Sequence, residues 1–138
     1  MKKLFSIISI VCLLAFTASA QRFGTAKNQD NTGRVMTYAY SSVTFASVLH
    51  HKPNASETFY KIGKLTAALT DSISITNAKV CDKVVLMFEC DTLTAGRVVT
   101  FGTNYVSAGT LTVDKNQKAT ITFVFDGVAF VETSRAKQ

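Results

Sequence analysis

The sequence predicts an all-β protein, a small antiparallel β-sandwich or jelly roll. From Arg34 onward, Val, Ile, Thr, Tyr and Phe dominate, the residue types that suit a pleated and half-buried surface. No long segment repeats apolar residues at helical spacing, and turn residues recur at short intervals. The chain is therefore expected to fold mainly as short strands joined by tight turns.

The first 20 residues are expected to be a signal peptide. Lys2 and Lys3 form a positive start, residues 4–16 form an apolar stretch, and residues 18–20 read Ala-Ser-Ala, a pattern that signal peptidase accepts. The apolar stretch is shorter than the roughly 20 residues that a membrane-spanning helix needs. Cleavage before Gln21 and export to the periplasm or the extracellular space are therefore expected.

The chain after this cleavage is predicted to hold one domain. Residues 21–34 are polar, contain two glycines and lack periodicity, which is typical of a flexible arm, and residues 35–138 form the β-sandwich domain. Without Lys2 and Lys3, 13 basic and 9 acidic residues remain, a net charge of +4. Because the basic residues are scattered rather than clustered with aromatic residues, no nucleic-acid partner is expected.

The strand predictions rest on alternation, because successive side chains of a strand point to opposite faces. Residues 119–125 place Ala, Ile, Phe and Phe on one face and threonines on the other, and residues 110–113 and 71–76 follow the same half-buried pattern. Residues 83–90 are apolar on both faces, which predicts a central strand or one covered by a partner.

The sharpest turn signal is the pair Asp126 and Gly127. A two-residue type I′ turn needs positive φ at both positions, and Asp-Gly supplies it at low cost. A hairpin of residues 119–125 and 128–133 is therefore predicted. The best helical candidate is a single turn over residues 56–60, with Ser56 as its cap.

Cys81 and Cys90 are not expected to form an intrachain disulfide. In one extended strand they would lie about 30 Å apart, far beyond the roughly 6 Å that a disulfide bridge permits. Cys90 is predicted to pack as a small hydrophobic residue. Pairing of cysteines between two copies of the chain stays open.

No catalytic constellation emerges from the sequence, so the protein is not expected to be an enzyme. Motifs for zinc proteases, serine hydrolases and phosphate-binding loops are absent from the sequence. His50 and His51 are adjacent, which makes them poor joint ligands of one metal ion, and they are interpreted as a solvated loop pair. No metal site and no cofactor are expected.

Aromatic residues give one binding hypothesis. Tyr38, Tyr40 and Phe45 lie close together in the sequence, and Tyr38 and Tyr40 share strand parity. These three residues are the candidate contacts of a glycan if the domain is an extracellular carbohydrate-binding module. Core packing is the alternative role for such aromatic residues.

The C-terminal half resembles a pattern found in surface and fibre proteins of bacteriophage virions and related viruses. The pattern consists of Thr-Val-Thr-Phe-Gly-Thr, then Gly-Thr-Leu, then a strand that ends in Phe-Asp-Gly and an aromatic residue, and finally Glu-x-x-Arg. The resemblance extends back through residues 72–88, where a glycine is more usual at the position of Cys81. The matching residues are Val99–Thr103, Gly109–Leu111, Phe125–Gly127, Phe130 and Glu132–Arg135.

The resemblance implies a small β-sandwich that is displayed on a particle or fibre and is built as a homo-oligomer. The expected function is that of a secreted, non-enzymatic structural or surface protein, a virion or cell-surface component that assembles with copies of itself. Such a protein would mediate attachment to a host or cell-surface receptor or a glycan. The alternative is the carbohydrate-binding module.

Overall fold

The computed structural model of the protein describes residues 36–92 and 95–138. The predicted signal peptide and the predicted arm, residues 1–34, lie outside this range. Residues Thr37–Gln138 form one compact unit. Its strands are β1 (Tyr38–Val43), β2 (Val48–His51), β3 (Glu57–Ile62), β4 (Leu69–Ile73), β5 (Lys83–Glu89), β6 (Arg97–Phe101), β7 (Tyr105–Val106), β8 (Leu111–Val113), β9 (Lys118–Phe125) and β10 (Phe130–Lys137).

The strands form two sheets, and the described residues include no helix. One sheet has six strands in the order β1-β3-β5-β9-β10-β7, and the other has four in the order β2-β4-β6-β8. The prediction of an all-β protein is confirmed.

The pairing within the sheets differs from the antiparallel expectation. β1 pairs with β3 and β3 with β5 in parallel, and so do β2 with β4 and β4 with β6. β7 also runs parallel to β10. Both sheets are therefore mixed, and neither an antiparallel sandwich nor a jelly roll is confirmed.

The parallel pairing follows from the path of the chain, which alternates between the sheets from β1 to β6. Two parallel neighbours need a long crossover, and here a strand of the opposite sheet supplies it. Residues 44–56, for example, contain β2 and connect β1 to its neighbour β3. The strand pairs β1-β2, β3-β4 and β5-β6 are three successive coils of a two-sheeted superhelix.

The C-terminal strands close this superhelix with antiparallel pairs. β9 pairs with β5, β10 pairs with β9, and β8 pairs with β6. β5 therefore lies between β3 and β9, which confirms the prediction of a central strand at residues 83–89.

The core lies between the two sheets and includes most of the side chains that alternation assigned to the inner faces. Ile75 is an exception, because β4 ends at Ile73 and Ile75 is 38% exposed. Ile121 and Phe123 on β9 and Leu111 and Val113 on β8 are all fully buried, as predicted. Leu86 on β5 is also fully buried. Apolar burial of this kind is the main source of folding free energy.

The hairpin between β9 and β10 forms, but its turn differs from the predicted type I′ turn. Gly127 has a φ of 109°, whereas Asp126 does not have positive φ. The loop is closed by the Asp126 N–H, which donates to the Ala129 carbonyl. The Asp126 carboxylate accepts hydrogen bonds from the N–H groups of Val128 and Ala129, and these bonds lower its pKa. Asp126 therefore acts through its side chain, and β10 begins at Phe130 rather than at residue 128.

The segment at residues 56–60 is not helical. Glu57–Ile62 forms β3, in which Thr58, Tyr60 and Ile62 are buried. The alternation of buried and exposed side chains thus outweighs the capping signal of Ser56. The Ser56 N–H instead donates to Thr37 Oγ1 at 3.0 Å and ties the start of β3 to the start of β1.

The two cysteines occupy different environments. Cys90 is buried in the core, as predicted, whereas Cys81 is exposed. Cys81 has a φ of 71°, in the left-handed region that favours glycine.

A charged pair fixes the loop between β7 and β8 against β10. Arg135 donates from Nε and Nη2 to the two carboxylate oxygens of Glu132, at 2.5 and 2.6 Å. Arg135 also donates to the carbonyls of Gly109 and Thr110, and Glu132 accepts the Ala108 N–H at 2.8 Å. The two charged side chains therefore make five hydrogen bonds, two to each other and three to the backbone of residues 108–110.

We expect Glu132→Gln to lower the free energy of unfolding by about 1 kcal/mol at pH 7, because a bidentate ion pair is lost at a partly exposed site. The Arg135 hydrogen bond lowers the pKa of Glu132 in the folded protein. The wild-type advantage is therefore present above the unfolded-state pKa of about 4.3 and is lost as the pH falls through the folded-state pKa. Urea denaturation at pH 7 and at pH 3 measures this difference.

The control for this prediction is Glu89→Gln, which removes an exposed contact of 3.5 Å with Lys64. It is expected to change the free energy of unfolding by less than about 0.5 kcal/mol. An equal loss in both variants, or a Glu132→Gln loss that persists at pH 3, would contradict the role of the Glu132–Arg135 pair.

Candidate functional site

The outer face of the six-stranded sheet, on the side away from the core, carries the two tyrosines of the binding hypothesis. Tyr38 and Tyr40 are 62% and 64% exposed, and both lie on this face of β1. The strand register places three rows of side chains across the face. These rows are Tyr38, Glu57, Lys83 and Val124; then Tyr40, Phe59, Val85 and Thr122; and then Ser42, Lys61, Met87 and Thr120.

A cleft of about 380 Å³ lies on this outer face beside Tyr40. It combines an aromatic ring and an apolar floor with charged and amide side chains at its rim. The cleft spans four strands and thus depends on the register of the whole sheet. Its lining residues are Tyr40, Lys61, Ile62, Met87, Phe88, Glu89, Lys118, Ala119, Thr120 and Gln138.

The charges around the cleft are unequal. Glu89 is matched by Lys64, at 3.5 Å, and the Glu57–Lys83 ion pair neutralises the first row of the face. Lys61 and Lys118 form no ion pair within residues 36–92 and 95–138. The cleft therefore presents two unmatched ammonium groups on either side of Met87.

Phe45 does not join the tyrosines. It lies in the connection between β1 and β2, is partly buried, and packs against the core. Tyr38 and Tyr40 thus stay the aromatic candidates on the outer face, without Phe45.

The open end, formed by β1 and β2, is the second candidate feature. β1 is the edge of the six-stranded sheet and β2 is the edge of the four-stranded sheet, and residues 44–47 join them. The carbonyl of Thr37 accepts a hydrogen bond from Glu57 on β3, and that of Val43 accepts one from Gly63, the residue after β3, so alternate residues of β1 direct their backbone groups to the β3 side. Tyr38, Tyr40 and Ser42 therefore direct their N–H and C=O groups to the open side.

The same alternation applies to β2. The carbonyls of Ser47 and His51 accept hydrogen bonds from β4 and its following residue, so Val48 and His50 direct their backbone groups outward. Val48 is 68% exposed. At the opposite end the edge strands are short, since β7 has two residues and β8 has three. Only the open end thus offers long edges in both sheets among the described strands.

A buried polar cluster lies between the sheets. His51 Nε2 is 3.1 Å from Asp71 Oδ1, Tyr105 donates its hydroxyl to Asp71 Oδ2 at 3.4 Å, and the His51 ring stacks on Tyr60. The prediction of a solvated loop for His50 and His51 is wrong, because both lie in β2 and His51 is only 3% exposed. The two residues do point to opposite faces, as alternation requires.

Burial dominates the electrostatics of this cluster. It raises the pKa of Asp71, and the contacts with His51 partly offset that shift. Burial and the nearby Asp71 charge also raise the pKa of Tyr60 and of Tyr105. Because Asp71 is fully buried, the cluster offers no surface to a substrate, and its polar groups contact one another inside the core.

The sequence did not reveal Lys61, Met87, Glu89 or Lys118 as neighbours in a cleft. Their parity assigns them to outer faces, but only the parallel register of β3 with β5 and the antiparallel register of β5 with β9 bring them together. No sequence signal distinguishes these registers.

Within the described part of the chain, no group of His, Cys, Asp and Glu side chains could hold a metal ion. Over the same residues, no helix is long and apolar enough to cross a membrane. No protein-family model matches the chain, and no curated protein is similar to it. The resemblance to virion surface proteins stays a prediction.

Proposed function

We propose that this protein is an exported, non-enzymatic surface or structural protein that assembles into a homodimer through its open end. The observation that carries the proposal is the coincidence of two edges: β1 and β2 end the two sheets on the same side of the molecule. Their outward backbone groups have no strand partner among the described residues. Unpaired edges of this length readily pair with another chain.

The lengths of the edges favour head-to-head pairing. A two-fold axis would set β1 antiparallel to β1 of the second copy and β2 antiparallel to its own counterpart, so that six-residue and four-residue edges match. Head-to-tail stacking would instead join these edges to strands of two and three residues. A closed dimer therefore satisfies more backbone groups than a filament does.

Exposed apolar side chains on β1 and β2 also favour the open end as the dimer interface. Tyr38, Tyr40 and Val48 lie on β1 and β2, and each is more than half exposed. Extension of both sheets would place new neighbours beside these side chains and remove apolar surface from water. Display of such a dimer on a particle or cell surface accords with the viral resemblance of residues 96–135.

We expect the protein without residues 1–20 to have the mass of a dimer in light scattering, and Ser42→Pro to convert it to a monomer. Ser42 is exposed and directs its N–H outward, so proline removes one donor to a partner strand and no hydrogen bond to β3. Ser42→Thr retains the N–H and should stay dimeric. A monomeric wild type, or a dimeric Ser42→Pro variant with unchanged circular dichroism, would refute pairing through β1.

Glycan binding is a second candidate function, favoured by one observation. Tyr38 and Tyr40 present exposed rings on one face, next to a cleft with polar groups at its rim. Aromatic rings pack against the apolar faces of sugars, while polar groups around them fix orientation. Edge pairing occurs in the plane of the sheet, so it leaves this face accessible.

A further inference from the structure

We infer that the cleft beside Tyr40 binds an acidic oligosaccharide, with Lys61 and Lys118 as the groups that recognise its negative charges. This inference rests on the second candidate function, glycan binding, and adds the class of glycan and the residues that select it. The occupant follows from charge complementarity and from the shape of the cleft.

The positions of Lys61 and Lys118 suit a ligand with more than one negatively charged group. Lys61 on β3 lies opposite Met87 on β5, and Lys118 on β9 lies opposite Glu89 on β5. The two lysines are therefore two strands apart across the sheet and two residues apart along the strand direction. Standard strand geometry puts their Cα atoms about 12 Å apart. Lysine side chains whose Cα atoms lie this far apart can each meet a carboxylate on a different sugar of one chain.

The local carboxylates do not compete for these lysines. Glu89 contacts Lys64 and Glu57 contacts Lys83, so the acidic groups of this face already have basic partners. Lys61 and Lys118 are both exposed and form no ion pair in the described part of the chain. The excess charge at the cleft is therefore positive and available to a ligand.

The remaining lining groups suit a sugar better than an extended peptide or a lipid chain. Tyr40 offers an exposed ring at one side, Met87 forms an apolar floor, and Thr120 and Gln138 supply hydrogen-bonding groups. A volume of about 380 Å³ accommodates one or two sugar rings, while neighbouring rings extend along the open face.

The test measures binding of tetragalacturonate and of its fully methyl-esterified form to the protein without residues 1–20. Tyrosine fluorescence is the signal, because the chain has four tyrosines and no tryptophan. We expect the acid to bind at least about tenfold more tightly than the ester.

Substitutions of lysine test whether the ammonium groups in the cleft recognise the negative charges of the sugar. Lys61→Gln with Lys118→Gln should weaken binding of the acid by about tenfold or more and leave binding of the ester unchanged. Lys52→Gln with Lys115→Gln removes the same charge at two exposed positions that do not line the cleft and should change binding less than about twofold. Tyr40→Ala should weaken binding of both sugars.

The outcomes separate this inference from the glycan-binding proposal. Equal affinity for the acid and the ester, both lost in Tyr40→Ala, would overturn the acidic selectivity and leave glycan binding intact. Equal losses in the two double-lysine variants would overturn the assignment to this cleft. Absence of binding to both sugars would overturn the inference together with the glycan-binding proposal.

Discussion

His51→Leu is expected to lower the free energy of unfolding by about 3 kcal/mol at pH 7, because it leaves the fully buried carboxyl group of Asp71 without the imidazole that contacts it. The substitution also removes the ring that stacks on Tyr60, with centroids 4.2 Å apart. Tyr105 alone would then donate a side-chain hydrogen bond to Asp71. Chemical denaturation followed by circular dichroism measures the loss.

The loss should depend on pH in a defined direction. Asp71 has a raised pKa in the folded protein, so the folded state binds more protons than the unfolded state above pH about 4, and stability falls as the pH rises through that window. Without His51 the pKa of Asp71 rises further, so the pH range over which stability falls extends to higher pH. The difference between wild type and His51→Leu should therefore be small at pH 4 and grow toward pH 7.

The double variant His51→Leu with Asp71→Leu is the control, because it removes both polar side chains of this contact from the core. Replacement of a buried ion pair by apolar residues is often neutral, so most of the loss should be recovered. A loss in His51→Leu that is equal at pH 4 and pH 7, or a double variant that is less stable than His51→Leu, would contradict the ion-pair account.

Phe123→Ala is expected to cost about 3–5 kcal/mol, the range for removal of a large buried aromatic side chain. Phe123 is fully buried on β9, and its ring contacts Phe101 at 5.3 Å and Tyr105 at 4.5 Å between centroids. The ring thus connects β9 with β6 and β7, and its loss leaves a cavity that these rings cannot fill without movement.

The matched control is Val124→Ala, on the same strand but on the outer face, where the side chain is only partly buried. It should cost less than about 1 kcal/mol. Urea denaturation of both variants provides the comparison. Similar costs for Phe123→Ala and Val124→Ala would contradict the assignment of odd-numbered residues of β9 to the core.

The inner and outer faces of individual strands could be predicted from the sequence because alternation is a local property. Residues 119–125 read as one apolar and one polar face, and the apolar face is the buried one. Residues 83–89 are apolar on both faces, and they form a strand with neighbours on both sides. Asn77, Asn104 and Asn116 have positive φ, a conformation that asparagine tolerates in turns.

Strand partners could not be predicted, because alternation is identical in parallel and antiparallel sheets. Consecutive strands such as β1 and β2 enter different sheets, so proximity in sequence does not correspond to pairing. The candidate cleft depends on this pairing and was therefore missed, although Tyr40 was recognised from its parity with Tyr38. The burial of His51 was missed for a similar reason, since its partner Asp71 lies 20 positions away on β4.

The two proposals use different parts of the first strand. Dimerisation uses the backbone groups of β1 in the plane of the sheet, and glycan binding uses the side chain of Tyr40 on the outer face. Two copies joined through β1 would bring their clefts onto one continuous sheet surface. A dimer could thus bind one long acidic chain at two sites, which raises its apparent affinity without any new contact.

The most direct test of assembly through the open end is amide hydrogen exchange, resolved by residue, over a range of protein concentrations. We expect the amides of Tyr38, Tyr40 and Ser42 to exchange at least about tenfold more slowly at high concentration, because each gains an acceptor from the second copy. The amides of Ala39 and Ser41, directed to β3, should be protected at every concentration. Outward amides that exchange at one rate throughout the range would contradict the pairing of two copies through β1.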